Sequence, residues 1–458
     1  MNENEELLHL SKFVAGLRFE SLPEKTVGLA KLAMLNILGG VLISDDDRLN
    51  PNRGALMRHA ERQAAAPRAT VIGSTFKTSP ELAALVSSAS AMMAHGDDWS
   101  WPARTHLSAV LMPAALALAE AERLTGKDLI TAFVAGWEIA VRVGSALQPP
   151  IDRRSPFTSP LHALATAAVT ARAMNLDARR TAAALSIATD MGTGLLAQAP
   201  EQHVVMRTPL GGSLGMYAAS LAREGVPGNP GVLGPFCRAY GEYDPEPVLR
   251  DLGHRFLLED SGFLPKLFHF STGLYPTIHG LQRYQAQHQL SSAEIARISC
   301  ETSPALRAVY GAPPAKSRET THFSLRLGIA LALCGSQFRY ADVAGLPQAD
   351  QEVARLAESV TLEPYPGLEA LVNLGAAAEQ TRTTLYLRNG ESVVVRSTPY
   401  PPVKDPHNDT GRVQQLFMSR VAPRWGESRA HDIVTAIDDL PEASSVDDLL
   451  HTIAIMPR

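Results

Sequence analysis

Residues 92 to 144 read MMAHGDDWSWPARTHLSAVLMPAALALAEAERLTGKDLITAFVAGWEIAVRVG, and the organisation of the chain can be worked out from them. Alanine-rich helical patterns stand on both sides of a polar loop, HGDDWSWPARTH, at positions 95 to 106. The pattern before the loop predicts a helix over 79–93, and the pattern after it predicts a helix over 113–122. A polar loop held between rigid helices is a common place for functional residues.

Helix start signals recur through the first 225 residues. Ser21 and Glu24 form a predicted capping box before an apolar helix that we expect to be central, and Thr125 with Asp128 caps a helix that ends near residue 147. Further patterns end near Asn175, start at Asp177 and run from Pro209 to Arg223. The alanine content of these helices predicts close packing in a bundle.

The chain changes character after residue 225. The proline- and glycine-rich segment 226–260 is predicted as a loop excursion over the surface. Strand patterns follow in IARISCETS (295–303), SVTLEPY (359–365), TRTTLYLRN (381–389) and ESVVVRSTPY (391–400), with a hairpin turn at 388–390 and helical patterns at 319–334 and 349–358. We therefore predict a mainly α protein: a helical main domain (1–265), a smaller α+β domain (266–400) and a segment (401–458) that returns to the first domain.

Composition excludes several classes of function. The chain has 458 residues, of which 45% are hydrophobic and 19% charged, which indicates two folded domains. A net charge of −5 predicts neither a nucleic-acid partner nor binding to an anionic membrane. The acidic start, MNENEELLHL, lacks the basic residues of targeting peptides, so we expect a cytoplasmic protein. The three cysteines are far apart and odd in number, which predicts buried thiols rather than disulfides or a metal site.

The polar loop can support proton transfer. Asp98 can act as a base at a carbon next to a carboxyl group if burial raises its basicity, and Trp99 and Trp101 would supply an apolar wall. His106 is the second candidate. The alternative is that Asp97 or Asp98 caps the next helix and the tryptophans fill space, and the sequence leaves both interpretations open. The spacing of the loop's histidine and aspartate residues matches no metal-ligand pattern, so no metal is predicted.

Cations and one serine outside the loop are further candidates. Lys266 lies among apolar residues at the proposed domain boundary, where it either extends to the surface or binds a carboxylate in a cleft. Arg207, Arg153 and Arg154 can also bind carboxylates. Ser213 lies in GGSLG, a match to the nucleophile pattern of hydrolases, but no strand precedes it, and small residues there favour tight helix packing.

The chain resembles the MmgE/PrpD family, which includes 2-methylcitrate dehydratase, cis-aconitate decarboxylase and iminodisuccinate epimerase. The resemblance rests on residues 92–144 quoted above, on LATAAVTARAMNLDARRTAAALSIA (164–188) and on LPKLFHFSTGLYPTIHG (264–280), and it covers essentially the whole chain. It implies a helical domain built from both ends of the chain, an α+β lid domain and a homodimer. It further implies an active site between the domains that needs no cofactor.

Carried over residue by residue, Asp98 matches the family's active-site aspartate in HxxDxDDT, and His95 matches the leading histidine of that pattern. His106 matches the histidine of THPS, and Lys266 matches the lysine of KPYP. We therefore expect Asp98, His106 and Lys266 to be catalytic. Six further residues are expected to line the substrate site: His95, Trp99, Ser100, His162, Arg207 and Arg326.

The departures from the family pattern affect several proton-handling groups. Ser100 stands near the missing threonine and is a candidate for its hydroxyl. The histidine of GxHPT is replaced by Pro156, with His162 as a candidate substitute. In place of KRLHAGR the chain has Val204 at the lysine and Arg207 at the histidine, and in place of FSLPY it has Arg326 and, at the tyrosine, Leu327.

These residues together predict a lyase or isomerase acting on a small carboxylate-bearing substrate. A base removes or relays a proton next to a carbonyl group, while Lys266 and Arg207 stabilise the charge that develops. Elimination, decarboxylation and epimerisation share such an intermediate, and the lost groups weaken the case for methylcitrate dehydration. The alternative is a catalytically silent homologue that binds or assembles, and a weaker alternative is a hydrolase that uses Ser213.

Overall fold

The computed structural model describes residues 6–45, 51–148, 159–191, 206–312, 321–339, 342–343, 350–371, 377–399 and 401–454. The helices are α1 (Glu6–Gly16), α2 (Glu24–Leu42), α3 (Pro51–Gln63), α4 (Pro80–Met93), α5 (Ser108–Ala121), α6 (Gly126–Ala146), α7 (Ser159–Ala173), α8 (Ala178–Thr189), α9 (Arg207–Arg223), α10 (Leu233–Tyr240), α11 (Glu246–Leu249), α12 (Leu257–Ser261), α13 (Tyr275–His288), α14 (Pro304–Tyr310), α15 (Leu325–Leu333), α16 (Gln351–Ser359), α17 (Pro406–Trp425), α18 (Glu427–Asp438) and α19 (Asp447–Ile453). The strands are β1 (Ala69–Thr70), β2 (Lys77–Thr78), β3 (Asp98–Trp99), β4 (Leu147–Gln148), β5 (Glu242–Tyr243), β6 (Leu264–Pro265), β7 (Ile295–Thr302), β8 (Val360–Pro364), β9 (Thr381–Leu387) and β10 (Ser392–Arg396). The predicted fold class, mainly α with a smaller α+β part, is confirmed.

The helical part is organised around one large hydrophobic core. The core takes side chains from α1 to α9 and again from α17, α18 and α19, near the end of the chain. Helix α2 is buried along most of its length and packs against α17 and α4. The segment after residue 401 therefore contributes to the same core as the first helices.

A second core belongs to the α+β part. Its four strands lie in the order β10, β9, β7, β8, with β7 and β8 parallel and the other pairs antiparallel. Helices α13, α15 and α16 pack against this sheet and bury its apolar face. The hairpin between β9 and β10 turns at Gly390, which adopts a φ of 92°, so the predicted turn at 388–390 is confirmed.

Most of the predicted helix starts are confirmed. Ser79 and Asp177 accept hydrogen bonds from the first turns of α4 and α8, and Thr125 with Asp128 forms a complete capping box on α6. The capping box predicted at Ser21 is wrong. Its hydroxyl donates instead to the carbonyl oxygen of Arg18 at 2.7 Å, because the chain forms a short 3-10 turn there before α2.

Other element boundaries also differ from prediction. Helix α5 starts at Ser108, five residues before the Pro113 at which the predicted segment 113–122 begins. Pro113 therefore lies in the interior of the helix. The segment 226–260, predicted as a loop, contains α10, α11 and the start of α12. All three cysteines are unpaired: Cys237 and Cys300 are buried and Cys334 is partly buried.

Two helices, α2 and α6, are long and apolar enough to cross a membrane by length and composition alone, but 78% and 94% of their apolar windows are buried inside the protein. Such burial is what the core helices of a bundle show.

The close packing extends to the loop after α4. Gly40 of α2 touches Gly96, and a Cβ atom on either glycine would lie 2.4 Å from the other residue's backbone. This contact holds the loop firmly on the central helix.

Candidate active site

The loop that follows α4 begins with a strained histidine. The His95 amide donates to the Met92 carbonyl at 3.1 Å, and the Gly96 amide donates to the Ala91 carbonyl at 3.1 Å, which together make a Schellman motif. His95 occupies the left-handed position of that motif, with a φ of 47°. Glycine is the usual residue there, so the imidazole is present at a cost in backbone energy.

Two short strands bring Lys266 to this loop. β3 pairs antiparallel with β6, and the Lys266 amide donates to the Asp97 carbonyl at 3.0 Å. The Lys266 ammonium then donates to Asp97 Oδ1 at 2.7 Å, and both side chains are almost completely buried. A buried ion pair of this kind contributes little net stability, so its presence points to function.

His106 completes the cluster around Asp97. Its Nδ1 lies 2.5 Å from Asp97 Oδ2 and 2.8 Å from the Asp98 carbonyl oxygen. Burial by itself raises the pKa of Asp97, but the positive charges of Lys266 and His106 outweigh burial and lower that pKa to about 2. Asp97 is therefore an ionised carboxylate, and His106 Nδ1 donates its proton to the Asp98 carbonyl oxygen, which can only accept. The opposite nitrogen, Nε2, is left to exchange protons.

Asp98 contacts the start of the helix that follows the loop. Its carboxylate accepts hydrogen bonds from the Ser108 amide at 3.2 Å and from the Ser108 hydroxyl, so it caps the first turn of α5. Complete burial raises the pKa of Asp98 to about 7 in spite of these bonds. The capping alternative therefore describes the contacts of Asp98, and its expected catalytic role stays a prediction.

The small domain covers the other side of Lys266. His95 Nδ1 lies 3.5 Å from Lys266 Nζ, and the His95 ring stacks on His322 with centroids 4.1 Å apart and planes at 25°. Burial, followed by the nearby charges of His322 and Lys266, lowers the pKa of His95 well below its usual value. His95 is therefore neutral, and the ring nitrogen that faces Lys266 can accept a hydrogen bond from its ammonium.

The aromatic residues of the loop surround His106. Trp99 meets His106 edge to face with centroids 4.9 Å apart, and it meets Trp101 at 5.8 Å. The His106 side chain keeps 18% of its surface exposed, while Asp97 has none. His106 is thus the member of the cluster that solvent or a substrate can reach.

A second group of polar residues lies behind the loop. Ser100 and Thr105 close it by exchanging backbone hydrogen bonds at 2.8 and 3.2 Å. The Ser100 hydroxyl is buried and has no hydrogen-bond partner among the described residues. Thr105 Oγ1 contacts His162 Nε2 at 2.6 Å, so His162 is fully buried behind Thr105. Burial, together with the charges of His106 and Arg207, lowers the pKa of His162 to about 3.

Comparison with known proteins agrees with this architecture. The model of the MmgE/PrpD N-terminal domain matches residues 8–237, and that of the MmgE/PrpD C-terminal domain matches residues 270–438. The chain belongs to the MmgE/PrpD family. The resemblance seen in the sequence is thereby confirmed.

Curated relatives of this MmgE/PrpD chain carry the name cis-aconitate decarboxylase. The cis-aconitate decarboxylase-like protein oryM of Aspergillus oryzae is 28% identical over 48% of this chain and 49% of its own length. Cis-aconitate decarboxylase of Homo sapiens is 26% identical over 57% of this chain and 56% of its own, and that of Mus musculus is 28% identical over 42% and 41%. The matched stretches thus span about half the length of these relatives.

Some predicted residues lie elsewhere in the MmgE/PrpD fold. The Arg326 guanidinium donates to the Val360 carbonyl at the start of β8, so its recorded contact is inside the small domain and not in the Asp97 cluster. Leu327 is buried in the second core. Arg153, Arg154, Pro156 and Val204 lie outside the described residues.

The hydrolase alternative loses its support. The Ser213 hydroxyl donates to the carbonyl oxygens of Glu81 and Pro209, and no histidine of the described residues hydrogen-bonds to it. Both neighbouring glycines, Gly212 and Gly215, sit against α5 or α7, where a Cβ would clash. The GGSLG segment therefore serves helix packing. Within the described ranges, no group of three or more histidine, cysteine, aspartate or glutamate side chains is arranged to hold a metal ion.

Sequence reasoning missed several residues of the MmgE/PrpD site. The sequence suggests Asp97 as a helix cap or, with less support, a metal ligand, whereas the structure shows it in contact with both Lys266 and His106. Arg420 of α17 is buried and donates to the carbonyl oxygens of Gly96 and Lys266, which fixes both halves of the site. A lone arginine on a C-terminal amphipathic helix carries no local signal of this contact.

Proposed function

We propose that this protein is a cofactor-independent lyase that decarboxylates a small polycarboxylate related to cis-aconitate. The observation that carries the proposal is the buried Asp97 carboxylate, which contacts both the Lys266 ammonium at 2.7 Å and the His106 imidazole at 2.5 Å. The names of the curated relatives support decarboxylation over epimerisation. The roles of the individual residues are part of the proposal.

His106 is assigned the proton transfer. The bond between one carboxylate and its neighbouring carbon breaks, and the carboxylate leaves as carbon dioxide. The electron pair stays on the substrate carbon, delocalises into a neighbouring carboxylate and then takes a proton from His106 Nε2. The Asp97 carboxylate stabilises the imidazolium form that supplies this proton, as an acid next to a histidine generally does.

Lys266 is assigned the stabilisation of charge. An ammonium has three N–H donors, of which one points to Asp97 and one towards His95, so one remains for a substrate carboxylate. Arg207, at the start of α9, adds a second fixed cation near His162. Two preorganised cations in a buried site favour the enolate-like charge that builds up after carbon dioxide leaves.

The protein is further proposed to act in the cytoplasm as a homodimer. An exposed row of apolar side chains on α9 supports the dimer, and we call it the α9 stripe: Leu210, Leu214, Tyr217 and Leu221. Three of the four are between 42% and 47% exposed, and their spacing places them on one face of the helix.

The test is turnover of cis-aconitate and of a panel of small di- and tricarboxylates, followed by NMR in deuterium oxide. We expect release of carbon dioxide and one deuterium atom in the product. Lys266→Met should lower kcat/KM at least about 100-fold, as the loss of a charge-stabilising group does. Lys77→Met is the matched control, because Lys77 also pairs with a carboxylate, Glu120, but on the surface. Folded protein that turns over no panel member would instead support a silent homologue with a binding role.

A further inference from the structure

The structure contains a pair of stacked imidazoles that joins the two domains, and only one of the two rings was expected in the site. His95 comes from the loop after α4, and His322 comes from the turn before α15 in the small domain. Their centroids lie 4.1 Å apart, and both side chains are buried. Phe323 meets the same His95 ring edge to face at 5.7 Å.

Backbone carbonyl groups fix the orientation of the small-domain histidines. His322 Nδ1 lies 2.6 Å from the His269 carbonyl oxygen, and His269 Nδ1 lies 2.6 Å from the Ala94 carbonyl oxygen. A carbonyl can only accept, so both Nδ1 atoms carry their protons. The two histidines therefore hold residues 94 and 95 from two directions, one through the backbone of Ala94 and one through the ring of His95.

The position of the His95 ring matters because of its other neighbour. Its Nδ1 lies 3.5 Å from Lys266 Nζ, which also donates to Asp97 Oδ1 at 2.7 Å. His95 itself has a left-handed backbone, so its ring direction depends on side-chain contacts as well as on the local fold. Loss of the ring of His322 would leave one face of His95 without support.

We propose that His322 is a positioning residue of the active site, supplied by the small domain, which acts through His95 on the ammonium of Lys266. The inference rests on the proposed function, since Lys266 is the group whose placement it explains. It also accounts for the way the turn before α15 takes part in the site. The aromatic face of His322 carries the effect, and its Nδ1 proton holds that face in place.

The experiment compares His322→Ala with His322→Phe. The phenylalanine variant keeps an aromatic face against His95 and fills a similar volume, so it also controls for folding. We expect His322→Ala to lower kcat about 10-fold or more with KM within about threefold, because misplacement of a group that acts in the transition state affects the chemical step. His322→Phe should recover most of that loss.

A second readout does not depend on turnover. In protein with isotope-labelled histidine, NMR signals of the His95 ring protons should show the upfield displacement caused by the ring beneath them. That displacement should disappear in His322→Ala and persist in His322→Phe. The surface stack of Tyr284 and His288, with centroids 4.0 Å apart, offers a control, and His288→Ala should change neither kcat nor the His95 signals.

The outcomes separate this inference from the proposed function. A kcat for His322→Ala within about twofold of the wild-type value, or unchanged His95 signals, would overturn the positioning role. A loss in His322→Phe as large as in His322→Ala would also overturn it, since the face would then not be what matters. If no substrate is turned over at all, the proposed function fails and the NMR comparison alone decides whether His322 positions His95.

Discussion

His95 shows at the scale of a single residue how the site is maintained against the preferences of the backbone. It occupies the left-handed position that ends α4, where glycine has no steric penalty. Asn175 occupies the same position at the end of α7. Its amide donates to the Arg172 carbonyl, and the Leu176 amide donates to the Ala171 carbonyl. The two sites share a backbone motif, but only His95 contacts Lys266.

We predict that His95→Gly separates stability from activity. The free energy of unfolding should change by less than about 1 kcal/mol, because relief of backbone strain offsets the lost ring contacts. The kcat/KM should fall at least about 100-fold, because Lys266 loses its neighbour. Urea denaturation and steady-state kinetics measure the two quantities. Asn175→Gly should leave activity unchanged, and a similar loss of activity in that variant would contradict the argument.

The sequence identified the loop, His106 and Lys266 as candidates but could not choose between its two adjacent carboxylates. Consecutive residues of an extended chain point to opposite sides, so Asp97 and Asp98 must have different environments. Which one meets Lys266 depends on the pairing of β3 with β6, more than 160 residues further along the chain. No local pattern contains that information.

Elements were predictable where their signals are local. The caps at Ser79, Thr125 and Asp177 use side chains within three residues of the amide they satisfy, so the sequence shows them directly. Helices α10 to α12 were missed because they are short and lie between prolines and glycines. The positions of α11 and α12 are set largely by a contact from α6, a helix far away in sequence.

That contact is a buried ion pair between Glu138 and Arg142. Arg142 donates to Glu138 at 3.2 Å and to the carbonyl oxygens of Arg250 and Arg255 at 2.8 and 2.7 Å. Glu138 in turn accepts a hydrogen bond at 2.7 Å from the amide of Leu257, which is the first residue of α12. The pair therefore ties residues 248–258, with the end of α11 and the start of α12, to the core.

We predict that Arg142→Met destabilises the protein by about 3–5 kcal/mol, because it leaves the Glu138 carboxylate buried without its cation. Denaturant titration measures this loss in the free energy of unfolding, and steady-state kinetics measure the activity of the protein that remains folded. Arg180→Met, which removes an exposed pair with Asp177, should cost less than about 1 kcal/mol. Equal losses in the two variants would show that Arg142 is not the anchor described here.

At the scale of the whole molecule, the site is assembled from distant parts of the chain. Five parts of the chain meet around Asp97: the central helix α2, the loop after α4, strand β6, the small domain and α17. Arg420 of α17 donates to Asn36 Oδ1 at 3.2 Å and to the carbonyl oxygen of Lys266, and Asn36 donates to the Asp97 carbonyl at 3.4 Å. The return of the chain to its first core is therefore part of the construction of the site.

The α9 stripe leads to a prediction about assembly. Leu210→Glu combined with Tyr217→Glu should convert a dimer into a monomer, because charges on that face oppose burial. Light scattering after size exclusion measures the mass. Val394→Glu is the control, because Val394 is 53% exposed on the edge strand β10, outside the stripe. A dimer that survives the double substitution would place the interface elsewhere.

The most direct test of the account compares Asp97→Asn with Asp98→Asn in the deuterium oxide assay. Asp97 is described here as the carboxylate that organises Lys266 and His106, and Asp98 as the cap of α5. We predict that Asp97→Asn abolishes both carbon dioxide release and deuterium incorporation, while Asp98→Asn retains most of the activity and loses only about 1 kcal/mol of stability. An inactive Asp98→Asn beside an active Asp97→Asn would contradict the account.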